Sequence, residues 1–216
     1  MLQQMLRTIT GKYHLNAIAL GEFARMKVGA TNFQIWAFHA EGLGHVSAIT
    51  ATGMLGLMKM DTLIINPTEK DMPLFSYERV HAMGNDSLTC ELYDTILEKV
   101  SLNRVEDVKT RYRHLPDHNL GQHWYDSIKL PISLSKKGKK ANTPEFDKCA
   151  MDYLEAYLTD AQDAEYCEPA WKKEKASLYV EGLLTNGGSS ADVFKKGLGD
   201  AKTAELFRNI LFGTER

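Results

Sequence analysis

From Asn32 to Asp94 apolar and polar positions alternate in short runs, QIWAFHA, HVSAITAT, MLGLMKMDTLII, LFSYERVHAM and SLTCELYD, parted by GLG, TG, NPTEKDMP and GND. A period of two marks half-buried strands, and the breaks are tight-turn chemistry, clearest at Gly84-Asn85-Asp86. Parallel strands need a crossover of about a dozen residues or more. The short breaks therefore predict an antiparallel meander over 32–94. Before it, Leu2, Met5, Leu6 and Ile9 repeat at helical spacing, and residues 1 to 27 read as one or two helices. After it, 95–110 reads as a short helix and 111–142 as irregular, with the basic tract SLSKKGKK an exposed loop. Helical texture returns at Thr143, an N-cap candidate followed by Pro144 and the stripe Phe146, Cys149, Ala150, Tyr153, Leu154 and Tyr157. A second helix follows Pro169, with Trp171, Leu178 and Gly182 on one side, and two short ones follow TNGGSS. Helices on either side of a central meander predict an α+β protein, a three-layer α/β/α sandwich with a central antiparallel sheet.

Composition narrows the class without changing that picture. The chain has 216 residues, a formal charge of −2 and 25% charged residues, which suits one globular domain over 1–216 and carries no nucleic-acid footprint. Its longest uncharged run, Gly42 to Met58, is interrupted by polar residues and glycines, so no membrane partner is expected. Three isolated cysteines, Cys90, Cys149 and Cys167, offer no CxxC pair and fit a reducing cytoplasm. The sequence lacks GxGxxG after a strand, GxxxxGK[ST], HExxH and GxSxG. No tightly bound cofactor is expected, and a redox activity would draw its electrons from outside.

The candidate chemistry lies in the strands. Alternation from Phe75 puts Ser76, Glu78 and Val80 on one face, so Glu78 sits among small and apolar neighbours where desolvation raises a carboxyl pKa. Periodicity alone reads it more readily as an edge-strand acid facing water. Asp61 falls with Leu55, Leu57, Lys59, Leu63 and Ile65, either a functional acid or half of a solvated pair with Lys59. His39 and His45 bracket a turn and could bind metal or shuttle protons; the denser trio His114, His118 and His123, with Asp117 among them, matches no standard zinc spacing and suits a loop lining a pocket better than a metal site. Lys136, Lys137, Lys139 and Lys140 form a solvated loop or a patch for an acidic partner or an anion.

The stretch TLIINPTEKDMPLFSYERV followed by SLTCELYD resembles the core of the ferredoxin-dependent bilin reductases and of red chlorophyll catabolite reductase. The close, YVEGLLTNGGSSADVFKKGLGDAKTAELFRNILFGTE, is similar to that superfamily's C-terminal pattern, and HWYDSIKLPISLSKKG falls where it has a Trp-containing segment near the pocket. The resemblance spans roughly residues 32–212. It implies an α/β/α sandwich holding an open-chain tetrapyrrole between sheet and C-terminal helices, without metal or flavin, and single electrons from ferredoxin. It places the proton-donating carboxylate on Glu78, where many members have Asp, and an upstream His or Asp near Asp61, with His39 or His45 in support. Lys59 and Arg79 are candidates, by position, for the pigment's propionates. A third carboxylate used by some members should fall around 186–189, where this chain reads NGGS with no acid before Asp192. That departure keeps a second reading in play, a non-catalytic carrier of haem, a bilin or another planar pigment.

Overall fold

The computed structural model describes residues 1–216, the side chain of Ser189 excepted. In chain order the elements are α1 (Leu2–Thr10), β1 (Leu15–Ala17), β2 (Arg25–Val28), β3 (Thr31–Ala40), β4 (Gly44–Gly53), β5 (Met58–Asn66), β6 (Leu74–Ala82), β7 (Asn85–Tyr93), α2 (Asn103–Arg111), β8 (Leu134–Lys139), α3 (Thr143–Asp163), α4 (Pro169–Asn186), α5 (Ser189–Leu198) and α6 (Asp200–Glu205), the last continued by a π-helical turn, Leu206–Leu211. The strands form one antiparallel sheet in the order β1-β3-β4-β5-β6-β7-β8, with β2 pairing the other half of β3.

Helices cover both faces, so both alternating sets of strand positions are buried over much of the sheet, although every pairing is antiparallel. On one face Val46, Leu63, Tyr77, Cys90 and Leu134 pack against α1, α2 and α3 in the larger core. On the other Phe33, Ile35, Ile49 and Ile64 pack against α4, α5 and the C-terminal turn. The two are called below the α3 face and the α4 face. Within the α3-face core Phe75 stacks on Tyr153 and Tyr157, with centroids 6.0 and 5.1 Å away, tying strand β6 to the long helix.

The three layers, the meander and the C-terminal helices follow the sequence expectation, and four local expectations are corrected. Residues 1–27 hold one α-helix and a 3-10 turn, Gly21–Ala24, but β1 and β2 in and after this stretch are strands that form the sheet edge. The basic tract is β8, an edge strand whose Lys136 is buried, its Nζ 2.6 Å from Asp117 and 2.9 Å from Leu115 O. Lysines are a usual device for blunting an edge, and they hide its strand character in the sequence. The run MLGLMKM does not enter β5 at its start: Met54–Gly56 is a turn and Leu55 and Leu57 face water. On α4, Trp171 and Leu178 also face water, and the helix buries Ala176, Tyr179, Val180 and Leu183 instead.

The C-terminus is clamped to the α4 face by three neighbouring polar side chains of β4 and β5. His45 Nε2 donates to Ile210 O at 2.7 Å, Ser47 Oγ to Leu211 O at 2.7 Å and Asn66 Nδ2 to Phe212 O at 2.7 Å. A helix end leaves its last carbonyls without partners, and these side chains supply them. Gly213 completes the fit: its φ is +64°, and a Cβ there would lie 2.4 Å from His45 Nδ1. Burial lowers the His45 pKa from 6.5 to about 4, so the ring is neutral at pH 7 and its Nε2 carries the donated hydrogen. A histidine depressed in the fold gives stability that is whole above pH 6.5 and lost as pH falls toward 4. The protein is therefore expected to lose roughly 2 kcal/mol from this residue between pH 7 and pH 5. Urea unfolding of His45→Gln, which keeps a donor but cannot titrate, should show a shallower acid slope over that window; equal slopes would remove His45 as its source.

Candidate active site

Strand alternation and register carry Glu78 into the layer between the sheet and α4. On β6 Ser76, Glu78 and Val80 point to the α4 face, and the pairings align Thr62, Glu78, Thr89 and Ser135 in one transverse row. Glu91 stands on the same face, opposite Ser76. Glu78 is half-buried. Burial first, and then the negative charge of Glu91, hold its pKa above the ordinary carboxylate value, and no hydrogen bond among the described residues counters them. Glu91 is supported differently: Tyr93 Oη donates to it at 2.6 Å and Lys129 Nζ lies 3.4 Å away. Lys129 is in turn 2.6 Å from Asp126. The two neighbouring carboxyls thus sit differently: Glu78 is shifted toward its protonated form without a partner among the described residues, and Glu91 is held by Tyr93 and Lys129.

An aromatic wall flanks these acids. Tyr93 stacks on Tyr179 of α4 with centroids 4.3 Å apart, Tyr125 meets Tyr93 edge-on at 5.7 Å, and His123 lies parallel to Tyr125 at 4.9 Å. Trp124 closes over α4 where Gly182 has no side chain, and its Nε1 donates to Gly187 O at 2.9 Å. A Cβ on Gly182 would lie 2.2 Å from the indole. The first turn of α5 brings the Asp192 carboxylate beside Gly187, near enough that a Cβ there would be 2.8 Å from it.

The transverse row continues past β8. His118 N–H donates to Ser135 O at 3.0 Å, and Asp117 is turned to the α3 face by Lys136, so His118 follows on the α4 face beside Ser135. His118 Nδ1 and Ser135 Oγ are both buried without a partner. Buried polar atoms are normally satisfied, so this pair is a ready donor and acceptor for a bound molecule.

The six residues singled out in the sequence do not form one constellation. Glu78, His39 and His45 share the α4 face, but His45 is committed to Ile210 and His39 sits at the rim, 49% exposed and 3.3 Å from Glu69. Asp61, Lys59 and Arg79 lie on the α3 face. Asp61 pairs across the strands with Arg79, while its neighbour Thr62 pairs with Glu78. Asp61 accepts from Thr50 Oγ1 at 3.0 Å and lies 3.6 Å from Lys59. Arg79 is 1% exposed, its Nε 2.6 Å from Asp86, with its guanidinium 5.0 Å over Phe146. A one-residue step along a strand changes face, and that step separates Asp61 from Glu78.

Sequence reading does not single out Glu91, Lys129, Tyr125 or Tyr179. The signal for Glu91 is present: Leu88, Cys90 and Leu92 claim the α3 face, and the Gly84-Asn85 hairpin then sets Glu91 beside the Glu78 row. Tyr125 and Lys129 lie in the HWYDSIKLPISLSKKG segment, and Tyr179 in the C-terminal pattern, that carry the resemblance, but no periodicity marks any of the three singly. Among the described residues, no three His, Cys, Asp or Glu side chains converge as metal ligands would. A cavity of about 480 Å³ opens elsewhere, beside α2 and α3, but Asp71, Glu98, Asp160, Asp163 and Glu165 line it without any aromatic, a poor surface for a planar apolar molecule.

Architecture and topology are those of the bilin reductase fold. Among solved structures the chain is similar to phytochromobilin synthase from tomato, determined in complex with biliverdin. The similarity covers 98% of this chain and 81% of that one, with a TM-score of 0.81 and 14% sequence identity. No protein-family model and no curated protein matches the sequence.

Proposed function

We propose that the protein binds an open-chain tetrapyrrole between the sheet and the C-terminal helices and reduces it with single electrons from ferredoxin. The observation that carries this reading is Glu78: a half-buried carboxyl with a raised pKa and no hydrogen-bond partner among the described residues, beside an aromatic wall, in a bilin reductase fold. Reducing one carbon–carbon double bond consumes two electrons and two protons. Reduced ferredoxin delivers the electrons one at a time, and Glu78 passes protons to the pigment, regaining them from water at the open side of the patch. A carboxyl whose pKa is raised toward the working pH is suited to that exchange. The charge of Glu91 favours the protonated Glu78, while Lys129 and Tyr93 hold Glu91 in place. Tyr125 and Trp124, both half-buried, supply flat surfaces for the pigment's rings with Tyr179 buried behind them, and Ser135 and His118 offer a second polar anchor two and three strand spacings away, about 10 and 14 Å.

Asp61, Lys59 and Arg79 lie outside this scheme because they occupy the other face. A pigment carrier without chemistry is the second reading, and the acid-free stretch 186–189 favours it. Adding biliverdin, then reduced ferredoxin under anaerobic conditions, separates the two by absorption. A pigment spectrum that shifts on binding and then bleaches into that of a reduced bilin is expected. Binding without further change would replace the enzyme by the carrier, and no binding would end both.

A further inference from the structure

We infer that the hairpin end of the sheet docks on an anionic lipid surface. Four large aliphatic side chains stand in water there: Met54 is 46% exposed, Leu55 106%, Leu57 65% and Met83 70%. They form one patch, because the β4–β5 and β6–β7 turns lie side by side and the Met83 N–H reaches Leu57 O at 3.4 Å. Met54, Leu55 and Met83 hold φ values of +51°, +54° and +48°, a left-handed backbone that residues with side chains adopt at a cost. Turns at such positions ordinarily take Gly, Asn or Asp. Here the fold presents long apolar side chains outward.

Lysine surrounds the patch. One transverse row at its base runs Lys27, Asn32, Thr52, Lys59, His81 and Asp86. Lys139 pairs with Asn85 beside the Met83 turn, and Lys140 follows it, exposed. Of the carboxylates near this end, Asp61 lies 3.6 Å from Lys59, and Asp86 and Asp147 share the single Arg79 guanidinium on the α3 face, leaving Lys27, Lys139 and Lys140 around the patch free of carboxylate partners among the described residues. Residues 52–59, 81–85 and 137–140 contain no aromatic and no arginine. Protein interfaces favour aromatics and arginine, absent here, as well as methionine, and are depleted of lysine; aliphatic tips ringed by lysine suit an anionic bilayer surface. No helix is long and apolar enough to cross a membrane, so the contact would be peripheral.

Sedimentation of the full-length protein with vesicles tests this. Vesicles of mixed phosphatidylcholine and phosphatidylserine should carry down at least about tenfold more protein than phosphatidylcholine alone, with the excess removed by high salt. The double variant Leu55→Asn, Leu57→Ser keeps a turn-compatible residue and should lower the mixed-vesicle affinity about tenfold or more. Lys139→Glu with Lys140→Glu should erase the preference for phosphatidylserine. Equal sedimentation with both vesicle types, or unchanged affinity in the variants, would overturn the inference. So would a patch that serves proteins: self-association or ferredoxin binding abolished by the Leu55, Leu57 variant while lipid is ignored.

Discussion

Glu78→Gln is expected to bind biliverdin nearly as tightly as the parent and to reduce it at least about 100-fold more slowly. Glutamine keeps the shape and polarity of the side chain but has no acidic proton to give. Electrons can still arrive, so the variant should stall with a partly reduced pigment radical, visible by absorption and electron paramagnetic resonance. Loss of folding is not the expected cause. A carboxyl whose folded pKa lies above its unfolded one stabilises fully below the unfolded pKa, and that contribution is lost as pH rises through the folded value. At neutral pH the neutral glutamine should therefore be at least as stable as the parent. Unchanged turnover would take Glu78 out of the mechanism.

The largest effect on stability is expected from Asp86→Ala. It strands the Arg79 guanidinium, 1% exposed, on the α3 face with only Thr143 O at 3.3 Å and Asp147 at 3.4 Å left to it. Removing one partner of a buried ion pair costs about 3–5 kcal/mol, a large share of a typical domain's stability. The double variant Arg79→Met, Asp86→Leu should recover most of that loss, because neither buried charge remains. Urea unfolding reads both variants. Biliverdin titration of the double variant gives a second readout: unchanged affinity is expected if Arg79 anchors α3, and a tenfold loss would return Arg79 to the pigment.

The large features of this fold are legible in the sequence because both covering layers impress their periods on it. The strands from Asn32 to Tyr93 alternate cleanly, and the α3 stripe from Phe146 to Tyr157 is unbroken. The edges are less legible. β1 and β2 are three and four residues long, too short for a period to show. β8 is lysine-rich because it is an edge, and its buried Lys136 depends on Asp117 and Leu115, partners brought in by the chain's return.

The site divides in the same way. Alternation assigns Glu78 a face, and the resemblance assigns that face a role. Alternation also separates Asp61 from Glu78, since the β5–β6 register pairs Thr62, not Asp61, with Glu78. What no period could reveal is the company Glu78 keeps: Tyr125 and Lys129 come from an irregular segment and Tyr179 from a helix about a hundred residues later in the chain. Their approach depends on Gly182 leaving room for Trp124. Local pattern carries no information about such a contact.

The most direct measurement is a crystal structure of the protein with biliverdin bound. The pigment is expected between the sheet and α4, stacked near Tyr125 and Tyr179, with a pyrrole nitrogen or lactam oxygen within about 2.6–3.2 Å of the Glu78 carboxyl. Biliverdin in the acidic cavity beside α2 and α3, or in the sandwich with Glu78 out of hydrogen-bond reach, would contradict the account.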